Sequence, residues 1–380
     1  MAFSPSLQVF TLERAMPEPN SGLVPDHSTH HVVDSPSASP SAQHSERRRF
    51  LLRLGLLAGA GLLPLAGSLL SKRGAQAGDK AAIAASRLET ARPALGTWVR
   101  VVAVAGDEAQ AARGIEGAFA AIARVDRQMS IHRPDSQIAR VNAAAGISAV
   151  AVDRDVIDVV ERALEGAQLT GGLYDPTILP LMRLYGFYDS KRTAYPSDRE
   201  IAAALHVTGH QLVAVDRAAG TLGLTRRGAA LDLGSIGKGW ALDRAVDALR
   251  AAGIGSALVD VGGNVYAMGT PETGGASDPA GEGWVIGVAH PVTGAVVRRF
   301  VLREEAIATS GNAEQTHRLG SARVGHLLDA RRGRPADGPL SATVRARTGV
   351  DSDRGSTVAF LLGPGRADAC PGILETQFIG

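Results

Sequence analysis

The chain has 380 residues, 45% of them apolar and 21% charged, which supplies a sizeable core and excludes a disordered chain. Lysine and arginine number 40 against 38 acidic residues, and the small excess lies in the first 77 positions. The remainder is neutral and carries no electrostatic footprint for nucleic acid or an anionic membrane. The single cysteine, Cys370, excludes an internal disulfide and a cysteine-built zinc or iron–sulfur site.

Residues 1–46 are rich in Ser, Pro and His and lack apolar periodicity, so they read as disordered or as an over-extended gene start. Arg47-Arg48-Arg49-Phe50-Leu51-Leu52 follows, then a Gly/Leu/Ala stretch to Leu70 and the small-residue site Ala75-Gln76-Ala77. This arrangement over 47–77 resembles a twin-arginine signal peptide and implies export to the periplasm by the twin-arginine machinery. The competing reading is an uncleaved anchor, but Leu54–Leu70 is at the short limit for spanning and contains Pro64.

Strand-like alternation covers 96–105, and apolar residues at helical spacing cover Glu108 to Gln128 and Asp153 to Leu169. The second helix stops at Gly171-Gly172. A short helix begins at Ile201, and a hairpin around Gly220 runs from Gln211 to Leu224. A short strand is expected at Ala229–Leu233 and a helix at Gly239–Ala252. Ala257–Met268 reads as a strand pair around Gly262-Gly263, and 271–283 as a Gly/Pro/Ser loop. Strands are expected at Trp284–Ala289, Val296–Leu302 and Ala306–Thr309, with another element beginning at Thr357. Strands cluster with helices interspersed irregularly, which predicts an α+β fold of mixed sheets with flanking helices, in one large domain over 90–380.

Four segments carry candidate chemistry. Asp232 to Gly239 places a glycine turn before a helix, which brings backbone N–H groups to a phosphate as readily as it forms an ordinary turn. Lys238 lies in it, in a chain with only four lysines against thirty-six arginines. Leu173-Tyr174-Asp175-Pro176-Thr177 reads as a ring platform or as a turn capped by Asp175. Asp353 and Thr357, four apart, share a face if helical and offer hard oxygen donors suited to magnesium, or simple caps. His326 and Asp329 pair a candidate base with a carboxylate, or are structural.

In this order the segments resemble the ApbE family of FAD:protein FMN transferases. The quoted motifs are Gly96-Thr97, Met129-Ser130 with Asp135-Ser136, and Tyr174-Asp175-Pro176-Thr177. They continue with Asp232 to Gly239, Gly262-Gly263-Asn264, Thr309-Ser310-Gly311, His326 to Asp329 and Asp353 to Thr357. The resemblance, over about residues 92–363, implies FAD contacts by Leu95, His132, Leu173, Tyr174, Asp175, Asp232, Lys238 and Leu327. It implies magnesium ligands Ser235, Asp353 and Thr357, with His326 as base beside Asp329. It also implies transfer of FMN from FAD to a Thr or Ser hydroxyl, releasing AMP. The acceptor would be the FMN-binding domain of an electron-transport protein; exported members include a NosX-like group in nitrous oxide reduction. His132, Gln137 and Ala330 depart from the family's usual Tyr, Glu and Pro. Hydrolysis of FAD to FMN and AMP, or flavin binding without catalysis, are the alternatives.

Overall fold

The computed structural model describes residues 10–11, 86–188, 192–271, 283–312, 315–367 and 370–380. The signal segment and nearly all of the N-terminal stretch, with most of the 271–283 loop, lie outside these residues. All the described residues belong to one compact unit.

A seven-stranded antiparallel sheet is the backbone of the fold. It contains β2 (Ser86–Ala94), β3 (Thr97–Ala105), β7 (Ser256–Val261), β8 (Asn264–Met268), β11 (Glu305–Gly311), β16 (Ser341–Ala346) and β17 (Ile373–Ile379). Their order is β17-β16-β11-β8-β7-β3-β2. Alternation along β3 sends Val99, Val101 and Ala103 to one face and Val102 to the other.

The first face is covered by α1 (Glu108–Met129), α6 (Gly237–Ala251) and the helix over Gly349–Leu362, and α3 (Arg154–Leu169) joins the same core. In α1 the buried residues Ala111, Ile115, Ala118, Ile122, Val125 and Met129 recur at steps of three and four, so one stripe meets the sheet. The Asp107 side chain caps this helix, accepting from Gln110 N–H at 2.7 Å. The second face is covered by β9 (Trp284–Ala289) and β10 (Val296–Leu302), which supply Trp284, Ile286, Phe300 and Leu302. β1 (Phe10–Thr11) pairs with β9.

The mixed α+β expectation holds, and most of the expected elements are present. The strand expected at Ala229–Leu233 is not. That segment is buried but joins no ladder, because a side chain stands in for a neighbouring strand. Leu231 N–H donates to Asn142 Oδ1 at 2.7 Å, and Asn142 Nδ2 donates back to Leu231 O at 2.9 Å. Asp232 N–H is satisfied by Pro176 O at 2.7 Å.

The element expected from Thr357 starts earlier. Helix α7 (Gly349–Leu362) is buried from Gly349 to Phe360, although it carries Asp351, Asp353, Arg354, Ser356 and Thr357. Its polar groups are matched internally: Arg354 donates to Asp351 and Glu165, both at 3.1 Å, and to Arg162 O at 2.7 Å. Further helices α2 (Gln137–Ala143), α4 (Leu179–Leu184) and α5 (Asp198–His206) complete the site's surroundings.

Candidate active site

A cavity of about 640 Å³ opens at one end of the central sheet, within the usual size range of small-molecule sites. The β2–β3 turn, the β7–β8 turn and the end of β11 reach it from the sheet. The β2–β3 turn has Leu95 at φ 52° and Gly96 at φ 72°, the geometry of a tight two-residue hairpin. A leucine in the left-handed region is strained, and this one lies on the cavity wall. In the β7–β8 turn a Cβ on Gly262 would meet Thr97 Oγ1 at 2.5 Å, so glycine lets the two turns close together.

Of the residues singled out from the sequence, all but Leu173 and Asp329 line this cavity. Leu173 is buried, and its carbonyl accepts Ala330 N–H at 3.2 Å. It braces the wall from behind. Asp329 lies outside the cavity lining. Its Oδ1 accepts the N–H groups of Arg331 and Arg332 at 2.9 and 3.3 Å, and its carbonyl accepts Gly333 N–H at 2.8 Å. The carboxylate is consumed by the turn that follows His326.

Asp175 makes the turn-capping bonds and also lines the cavity. Its Oδ1 accepts from Thr177 N–H and Oγ1 at 2.9 and 2.6 Å, and Oδ2 accepts His210 N–H at 2.6 Å. Tyr174 is buried against the glycine turn and accepts from the Ser235 hydroxyl at 3.0 Å. Burial raises its phenol far above the ordinary value, so it stays neutral.

The charged centre forms where α6 begins. Asp353, buried on α7, accepts Gly239 N–H at 2.8 Å and Asn264 Nδ2 at 2.7 Å. Lys238 Nζ lies 3.5 Å from the same carboxylate, with its ammonium partly open to the cavity. Thr357 Oγ1 is 3.1 Å from Ser310 Oγ. Among the described residues no group of three or more His, Cys, Asp or Glu is assembled. The candidate ligands Ser235, Asp353 and Thr357 all line the cavity, and they would offer hard oxygens with one charge. That chemistry fits magnesium, which keeps waters and takes substrate phosphate oxygens.

His326 faces the same centre. Its Nδ1 has no protein partner, and its backbone N–H donates to Gln315 O at 3.1 Å. Burial, and then the nearby Lys238 charge, lower its pKa to about 4, so the imidazole is neutral at physiological pH. The Phe187 ring stands edge-on to it at 6.5 Å.

Sequence reasoning missed Tyr188, whose hydroxyl donates to Asp232 Oδ2 at 2.7 Å and whose ring is edge-on to His132. It assigned no role to Asn264, although the Gly262-Gly263-Asn264 motif was the available signal.

Comparison with known proteins bears on the family of the chain. Residues 95–371 match the model of the ApbE family. A FAD:protein FMN transferase of Klebsiella pneumoniae is 31% identical over 262 residues, covering 68% of this chain and 77% of that protein. One of Treponema pallidum is 32% identical over 260 residues, covering 66% and 71%. The flavin transferase ApbE structure from Vibrio cholerae superposes with a TM-score of 0.66 at 25% identity, covering 78% of this chain and 98% of that one. With the family model spanning most of the chain and the motif residues gathered around one cavity, the chain belongs to the ApbE family.

Proposed function

We propose that this protein is a FAD:protein FMN transferase, magnesium-dependent, acting on a Thr or Ser hydroxyl of an acceptor flavoprotein. The observation that carries this reading is that Lys238, His326 and the oxygen-bearing residues Ser235, Asp353 and Thr357 all line one cavity. The acceptor oxygen attacks the phosphorus on the riboflavin side of the pyrophosphate, and the bond to the AMP oxygen breaks. His326 takes the hydroxyl proton. Lys238 holds the charge that gathers on the departing AMP phosphate. Asp353, Ser235 and Thr357 would hold the magnesium, which supplies further neutralisation of the pyrophosphate. Tyr174 keeps the Ser235 hydroxyl oriented.

Supplying FAD and magnesium with and without an acceptor domain tests the reading. Covalent FMN on the acceptor, with AMP formed only when acceptor is present, is the expected outcome. Equal AMP formation without acceptor would make the enzyme a FAD pyrophosphatase, and loss of neither activity in EDTA would remove the metal.

Export by the twin-arginine route to the periplasm is supported by Arg47-Arg48 and Ala75-Gln76-Ala77 alone. The same feature favours an acceptor domain of an electron-transport protein on that side of the membrane. Among the described residues no helix is long and apolar enough to cross a membrane. Replacing Arg47 and Arg48 by lysine should leave the precursor in the cytoplasm, checked by cell fractionation. Unimpaired export of that variant would remove the twin-arginine assignment.

A further inference from the structure

Tyr188 lies outside the residues that the family resemblance assigns, yet it lines the cavity. Its ring and that of His132 stand at 76° with centroids 5.3 Å apart. Two aromatic groups at right angles form a corner. A flat heterocycle stacked on one of them turns its rim towards the other.

The hydrogen-bond inventory of this corner is one-sided. The Tyr188 phenol donates to Asp232 Oδ2 at 2.7 Å, and Asp232 Oδ1 accepts Gly234 N–H at 2.8 Å. Burial and the adjacent Asp232 charge hold the phenol's pKa well above its ordinary value, so its proton stays on Tyr188. With that proton committed, Tyr188 Oη and the Asp232 carboxylate have only lone pairs left to offer. A group that presents another acceptor to them meets repulsion and leaves buried polar atoms unsatisfied.

We propose that Tyr188, together with Asp232, is a specificity-determining residue that reads an N–H donor on the rim of the planar ring seated against His132. The inference rests on FAD being the substrate. FAD offers this chemistry at two places, the imide N–H of the flavin and the exocyclic amino group of adenine.

The test is an equilibrium titration followed by flavin fluorescence, in the absence of acceptor. It uses wild type and Tyr188→Phe with three ligands: FAD, the dinucleotide with hypoxanthine in place of adenine, and FAD methylated at the flavin imide nitrogen. Wild type should bind one of the two analogues roughly 10-fold or more weaker than FAD, the size of one hydrogen bond to a charged group. Tyr188→Phe should weaken FAD to a similar extent and erase most of that preference. Weak binding of the hypoxanthine analogue places adenine in the corner; weak binding of the methylated flavin places the flavin there. Equal wild-type binding of all three ligands overturns the proposal, as does an unchanged preference in Tyr188→Phe. Loss of transfer at saturating FAD with unaltered affinity overturns it as well, since Tyr188 would then act in the chemical step. FMN transfer by wild type, assayed alongside, tests the transferase reading separately from the preference.

Discussion

Asp353→Asn should lower FMN transfer by orders of magnitude while the protein remains folded and retains much of its FAD binding. Asp353 is the only charged member of the oxygen donor set, and Ser235 and Thr357 can offer only neutral hydroxyls. On the proposed magnesium assignment, removing that charge should leave the site unfilled at ordinary magnesium concentrations, and excess magnesium should restore part of the activity by mass action. The same carboxylate accepts Gly239 N–H, Asn264 Nδ2 and, more loosely, Lys238 Nζ. An asparagine retains one acceptor oxygen and turns an amide towards these donors. The expected cost to stability is about 1–3 kcal/mol, as for loss of hydrogen bonds to a charged group, which a domain of ordinary stability survives. The measurement loads the variant with FAD, adds an acceptor domain and follows covalent FMN by in-gel fluorescence across a magnesium series. Transfer at the wild-type rate by the variant in EDTA would show that the carboxylate is structural only.

Gly239→Ala should produce the other large effect, on stability and activity together. Helices α6 and α7 touch backbone to backbone here. A Cβ on Gly239 would lie 2.1 Å from Gly349 O and 2.7 Å from Asp353 Cβ. The contact is reciprocal, since a Cβ on Gly349 would lie 2.4 Å from Gly239 O. No side-chain rotation relieves a clash with backbone, so the helices must separate. The expected loss is about 3 kcal/mol, the upper end of the usual range for overpacking. Separation also draws Asp353 away from Gly239 N–H, so the magnesium needed for half-maximal transfer should rise. Gly237→Ala is the control, because a Cβ there meets nothing within 4 Å. Urea unfolding should distinguish the two variants, and coincident midpoints would show that this crossing tolerates a methyl group.

The sequence alone determined the parts of this protein whose signals are local. The stripe from Ala111 to Met129 in α1 is set by period, and Gly262-Gly263 marks its turn because both positions need positive φ. The motif order was also legible, and the cavity gathers the candidate residues except Leu173 and Asp329. The tertiary structure decided where polar groups are buried, because their partners are remote in the chain. The element expected only from Thr357 begins at Gly349, because Glu165, Arg162, Gly239, Asn264 and Ser310 supply partners for its buried polar residues. Ala229–Leu233 reads as a strand until Asn142 supplies the bonds a ladder would have made. Asp329 reads as the partner of His326 until its own following turn claims the carboxylate. Tyr188 carries no sequence signal at all, since its role depends on Asp232 and His132, more than forty positions away on either side. A buried polar side chain is stable only where those distant partners are placed, and one-dimensional spacing does not encode that placement.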